Sequence, residues 1–545
     1  MLVGWVSDEW DSAVPGAAIE LERDDAFVTE VRSTAAGRIV ADVQPGTYRL
    51  SLAHPGFGSK RVTATLVDDM TPLRIRLLSG ELTGFVWPRW ARSGEQAELR
   101  FHAVEPYRLT LWRYGRQPVQ ERTLGWYDEH GPGAVRQILP DGDFTPTGVA
   151  WNRVGYGGNP HHSLLVRAPK RSGLYYVHAD GESGAFWSAP WIVAPAADAP
   201  NAEIAVIASS NTWNAYNRYG GRSNYSNAPG LPLTPVVNAR QDLARFDASA
   251  IGEWCHPDEA YPALSFERPE HGNVIPTGTR AEDPIAGRLA SSMAPAEWRL
   301  LSWLEREGFG CDLFGDQQLH DDTLDLSRYR VLIVSVHPEY WTRRMVERVT
   351  DWVAAGGRLL SLGGNSLNCE VELPDGRTMR CRTLLSSTDG ALGMPDVATG
   401  AWLDSRYHRT TGHSEAELLG LATTETGIMT AAPYEVTEGA ADHWVYRDTG
   451  LHAGDSFGSD SQHERCPGGA SGHETDKMTA QTPAAFRLLA KGTNPDEGGA
   501  EMVIREDGPG MVFSVGSITW VTCLLVDEQV SRITRTVLER ALGPA

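Results

Sequence analysis

The sequence lacks the usual marks of thiol and zinc chemistry. Its six cysteines are scattered, with no CxxC pair, and no HExxH segment occurs, so neither a dithiol centre nor a helical zinc site has its motif. His408 and His413 stand five apart in a polar stretch, the wrong spacing for one helical face. Positive charge is also short. Lys and Arg number 49 against 70 Asp and Glu, for a net charge of −21. That balance excludes phosphate-backbone recognition and attraction to anionic membrane surfaces, and a solvated acidic surface accounts for it. Long hydrophobic runs are absent, so no bilayer-spanning helix is expected. The opening "MLVGWVSDEWDSAVPG" has neither a basic start nor an apolar core, so no secretory leader is expected there. Cys369 and Cys381 flank an "LPDG" turn and are placed to face each other. Even so, the expectation is a reduced, cytoplasmic protein that binds no nucleic acid and no membrane.

What is present divides into three parts. At 545 residues the chain exceeds one hydrophobic core. Residues 1–80 alternate apolar and polar positions in short runs, punctuated by Gly37 and Pro45-Gly46. The stretch resembles carboxypeptidase-regulatory-like β-sandwiches, which carry structural or oligomerising roles. Residues 81–198 again alternate at period two, as in "SGLYYVHADGESGAFWSAPWIVAP", and read as a second sandwich. The loop with His161 and His162 reads as solvated, with a site role the lesser reading. "APAADAPNA" is the linker. From residue 199 to 545, apolar strands ("EIAVIAS", "YRVLIVSV", "RLLSLGGN", "GMVFSVGS") alternate with amphipathic helices. The helix after "YRVLIVSV" is expected to start at an N-cap Thr342 and stop at Gly356. The class is multidomain α+β: two N-terminal β-sandwiches and a doubly wound α/β domain with a polar excursion at 440–480.

Ligands in such sheets bind beyond the carboxyl ends of the strands. The segments there are "NTWNAYNRYGGRSNY", read as a loop, then "HPEYW", "GGNS" and "GGASGHETD". The strand-to-helix turn Gly363-Gly364-Asn365-Ser366 holds no nucleophile. The GxSxG at Gly454–Gly458 lacks the strand and helix that make a nucleophile elbow. What remains is oxygen and nitrogen: Tyr216, Tyr225, Glu339 and Glu474, with His337 and Asn365. Two phenolates and a carboxylate are hard, trianionic ligands suited to a ferric ion. Taken singly, each tyrosine reads equally as a pocket wall and each glutamate as surface charge.

These motifs, in this order, resemble the N,N-dimethylformamidase large-subunit family over roughly residues 200–545. The resemblance implies a domain similar to the class I glutamine amidotransferases without their cysteine. It implies a mononuclear iron, Fe(III), held by Tyr216, Tyr225 and Glu339, with Tyr261 as the alternative to Tyr225. It places His337, Asn365 and Glu474 beside the metal as catalytic groups, with Trp213 and Tyr219 shaping or bracing the pocket. The implied function is hydrolysis of the C–N bond of a small amide, with self-association and a small companion subunit as the implied assembly. Two other readings stay open: a carbohydrate- or protein-binding multidomain protein, and a metal-dependent hydrolase of an ester or cyclic amide.

Overall fold

The computed structural model describes residues 1–8, 12–57, 60–77, 82–103, 105–127, 163–198, 202–217, 219, 223–224, 234–237, 261, 263–282, 292–382, 406–424, 431–495 and 498–543. His161, His162 and Tyr225 lie outside these residues. The chain is a mixed α+β, multidomain protein. Among the described residues no helix is long and apolar enough to cross a membrane.

The first part pairs a three-stranded with a four-stranded sheet. Alternation places the inner residues: in Gly46–Ala53, Tyr48, Leu50 and Leu52 point inward while their neighbours meet solvent. They join Val3, Ile19, Leu21 and Ile39 in one core. The second part pairs a three-stranded sheet with a five-stranded one. Leu99, Phe101, Leu109, Leu111, Tyr175, Val177 and Trp191 fill the space between.

A nine-stranded sheet follows. Cys311–Gly315, Ile204–Ala208, Val331–Val336, Arg358–Gly363 and Met511–Ser514 run parallel in that spatial order. Glu501–Arg505, Arg487–Gly492, Tyr434–Val436 and Ser456–Phe457 extend it antiparallel. Both faces of the parallel strands are covered, which is why they read as unbroken apolar runs. Val331 and Ile333 enter one core with the helices Ala294–Glu307, Thr519–Cys523 and Glu528–Leu542. Leu332 and Val334 enter the other, with the helix Arg343–Ala354.

The helices end where their residues dictate. The Thr342 hydroxyl accepts the Met345 N–H and caps Arg343–Ala354, whose buried face is Met345, Val346, Val349 and Val353. Gly308, at φ 83°, closes Ala294–Glu307. That helix buries Trp298, Leu300, Trp303 and Leu304 completely, each burial being worth about 1.5–3 kcal/mol. Tyr114, Tyr176 and Ile192, from the second part, pack into the same core.

One expectation needs correction. The opening of "NTWNAYN" is not loop: Ser210–Tyr216 is a helix. Its asparagines are fasteners. Asn211 Nδ2 donates to the Tyr340 carbonyl (3.0 Å), Asn214 Nδ2 to that of Leu264 (3.3 Å), and Asn217 Nδ2 to that of Pro269 (2.8 Å). Trp213 is core, donating its indole N–H to Glu297 (3.1 Å). Tyr219 is buried and stacks on His271.

Candidate metal centre

Three neighbouring parallel strands end at one place. Val331–Val336 ends with Val336 at φ 65°, a conformation rare for a β-branched residue. The chain turns there and delivers His337 and Glu339. Arg358–Gly363 ends at Gly364-Asn365, and the Gly364 N–H donates to the Val336 carbonyl (3.2 Å). Ile204–Ala208 leads into the helix whose last residue is Tyr216. Glu474 enters from the polar excursion, with His473 and Glu474 at φ 47° and 66°. A Cβ on Gly364 would run into the Glu474 carbonyl oxygen and the Ile518 nitrogen. Only glycine lets these two turns touch.

The side chains meet closely. The Tyr216 hydroxyl donates to Glu339 Oε2 at 2.9 Å. His337 Nε2 lies 3.1 Å from the same oxygen and 2.8 Å from Glu474 Oε2. Asn365 Nδ2 donates to Glu474 Oε2 at 2.7 Å, while Asn365 Oδ1 accepts the Thr423 hydroxyl at 2.8 Å. Thr212 ties the helix to this loop: its hydroxyl donates to the His337 carbonyl (2.7 Å) and accepts the Glu339 N–H (3.3 Å). Asp476 holds the Asn365 turn, accepting the N–H groups of Asn365 (2.8 Å) and Ser366 (3.3 Å). Five of the six expected site residues are thus in one cluster. Tyr261, the alternative to Tyr225, is buried and shares an apolar cluster with Tyr216.

The electrostatics are those of crowded, buried acid. Burial opposes charge on His337, but Glu474 and Glu339 outweigh it and push the imidazole up to about 10. Burial likewise opposes ionisation of Glu474, yet the charge and hydrogen bond of His337 hold it below the ordinary range. Burial raises Asp476 to about 7 against the pull of its N–H donors. Deeper still, burial pushes Glu297 and Asp316 to about 8 each. Glu297 accepts the Ser209 N–H (2.8 Å) and Asp316 the Asn211 N–H (2.8 Å), so both brace the helix that carries Tyr216. His463 and His473, 2.7 Å apart, are held neutral by burial, down to about 3.

His337, Glu339 and Glu474 place one ligand atom each within 4.8 Å of one another. The donor set fits a hard cation. Two carboxylates crowd one imidazole, and a cation would balance that excess charge.

Sequence reasoning missed Thr212, Asp476, Glu297, Asp316 and Arg268. Buried Arg268 binds the Asn214 carbonyl (2.7 Å) and the Tyr219 carbonyl (3.1 Å). Only Asp476, two residues past Glu474, carried a local signal. Cys369 and Cys381 are buried with sulfurs 2.9 Å apart, as thiols. His413 is exposed and pairs with Glu417. Ser456 of the GxSxG lies exposed in a short antiparallel strand.

A cluster of phenol, carboxylates and imidazole at parallel strand ends includes three residues, His337, Glu339 and Glu474, that could hold a metal ion. The chain belongs to the family described as N,N-dimethylformamidase beta subunit-like, C-terminal, which matches residues 120–532. It is 26% identical to the N,N-dimethylformamidase beta subunit of Paracoccus aminophilus over 45% of this chain and 36% of that protein. The same protein of an Alcaligenes species is 26% identical over 45% and 36%. The match therefore spans about a third of those relatives' length. Among solved structures, fibronectin(III)-like modules of Clostridium thermocellum CbhA align with 35% of this chain and 90% of theirs at 11% identity and a TM-score of 0.12. The four N-terminal Ig domains of a Dscam1 isoform align with 33% and 37% at 10% identity and a TM-score of 0.12. Those likenesses are too slight to define a shared fold.

Proposed function

We propose that this chain is an iron-dependent amidohydrolase that cleaves the C–N bond of a small amide. The site sits in a doubly wound, glutamine-amidotransferase-like domain (residues 199–545) behind two β-sandwiches (1–80 and 81–198). The observation that carries the reading is the meeting of Tyr216, His337, Glu339, Asn365 and Glu474 at the carboxyl ends of neighbouring parallel strands. The dimethylformamidase name of the relatives supplies the bond type.

Tyr216, Tyr225 and Glu339 would hold a ferric ion, which when bound polarises the amide carbonyl and acidifies water. The protein's own groups move the proton. Glu474 takes it from the attacking water and passes it to the leaving nitrogen, a poor leaving group unless protonated. The charge and hydrogen bond of His337 keep it unprotonated, as a proton acceptor must be. His337 and Asn365 both reach Glu474 Oε2, so they fix its aim, and Asn365 offers an N–H to the developing oxyanion. The relatives are named beta subunits, which supports assembly with a companion chain and with further copies of itself.

Metal analysis of the purified protein tests this. About one iron per chain is expected, lost in Tyr216→Phe and Glu339→Gln. Glu474→Ala should keep the iron and lose amide turnover. Iron-free protein that still cleaves amides after chelation would overturn the reading, and so would a fully active Glu474→Ala.

A further inference from the structure

One residue outside the cluster has a hold on Asn365. An asparagine amide can turn either its oxygen or its nitrogen to a neighbour, and only the nitrogen donates. The choice matters here. Asn365 Nδ2 meets Glu474 Oε2 at 2.7 Å and is the group offered to the oxyanion. Turned over, the amide would set its oxygen against a carboxylate oxygen, with no proton between them.

Thr423 opposes that turn. Its hydroxyl donates to Asn365 Oδ1 at 2.8 Å, across 58 residues of chain. Among the described residues no other group donates to that oxygen. Thr423 lies in the strand Ala422–Thr424, paired in register with Asp476 of the strand Thr475–Lys477. Asp476 accepts the Asn365 N–H at 2.8 Å. One two-stranded ladder therefore grips Asn365 by its backbone and by its side chain. The Thr423 hydroxyl borders Asp476 as well, but that carboxylate already takes the Asn365 and Ser366 N–H groups. The two side-chain bonds of Asn365 run in one direction, from hydroxyl to amide oxygen and from amide nitrogen to Glu474. Donation to Oδ1 polarises the amide and strengthens its N–H as a donor.

We infer that Thr423 is a positioning residue for amide cleavage: through Asn365 it orients the N–H that steadies Glu474 and meets the developing oxyanion. This rests on the amidohydrolase reading.

The test is a pair of variants in the intact enzyme, assayed on N,N-dimethylformamide, the amide in the relatives' name. Thr423→Val keeps the shape and removes the hydroxyl. Its kcat should fall about tenfold with KM little changed, the worth of one hydrogen bond felt in the transition state. Thr423→Ser keeps the hydroxyl and should recover most of that loss, whereas a residue that merely packs would tolerate valine and suffer from serine. In an Asn365→Ala background Thr423→Val should cost nothing further. Full kcat in Thr423→Val, no recovery in Thr423→Ser, or an equal loss without Asn365 overturns the inference. Should the wild type cleave no amide, the function falls separately, and the side-chain NH2 proton resonances of Asn365 decide, assigned by their loss in Asn365→Ala. An upfield move in Thr423→Val that Thr423→Ser does not share upholds the inference, and unmoved resonances in Thr423→Val overturn it.

Discussion

Glu297 is the place to perturb the site from a distance. It lies buried against the helix Ser210–Tyr216, where Oε1 accepts the Ser209 and Trp213 N–H groups. Burial, with Asp316 adding repulsion, raises its carboxyl from an ordinary 4.5 to about 8. The native state thus prefers the protonated acid. The resulting stabilisation is whole below pH 4.5, shrinks as pH rises, and is gone above about 8. Its size is roughly 4–5 kcal/mol between those limits. Glu297→Gln keeps Oε1 and removes the titration. The variant should melt close to wild type at pH 5 and outlast it at pH 9 by about 4 kcal/mol, on the order of 10 °C for one domain. Calorimetry at pH 5, 7 and 9 reads this directly. Parallel pH profiles in the two proteins would show that Glu297 is ionised in the native state and would refute the reasoning.

Other perturbations act nearer the cluster. Gly364→Ala drives a methyl into the Glu474 carbonyl and the Ile518 nitrogen. A loss of about 2–3 kcal/mol is expected, read by denaturant titration, together with impaired turnover. Asn365→Asp replaces the N–H that meets Glu474 Oε2 with a second carboxylate, and kcat should fall about 100-fold in steady-state assays. Arg268→Met leaves the buried Asn214 and Tyr219 carbonyls without their donor. It should cost about 3 kcal/mol in melting experiments and loosen the helix that ends in Tyr216.

The sequence carried the parallel strands and their helices plainly, because a strand covered on both faces must be apolar throughout, as Val331–Val336 is. Thr342 announced its helix start by residue type alone. Motif order drew attention to Tyr216, His337, Glu339, Asn365 and Glu474. It did not show that Ser210–Tyr216 is a helix, since Trp and Asn at its core suit long-range fastening better than local propensity. Nor could spacing reveal Glu297, Asp316 or Arg268. Each acts across a gap of 50 residues or more, and a buried ionisable group looks like surface charge until its partners are known.

The position of Met511–Ser514 in the sheet has a consequence for synthesis. It pairs with Arg358–Gly363 on one side and Glu501–Arg505 on the other. Until it leaves the ribosome, Arg358–Gly363 remains an unpaired apolar border, and the turn bearing Asn365 has no finished floor beneath it. Nascent chains halted short of that point would expose a template for sticking to one another, so chaperone demand should last until that strand is made.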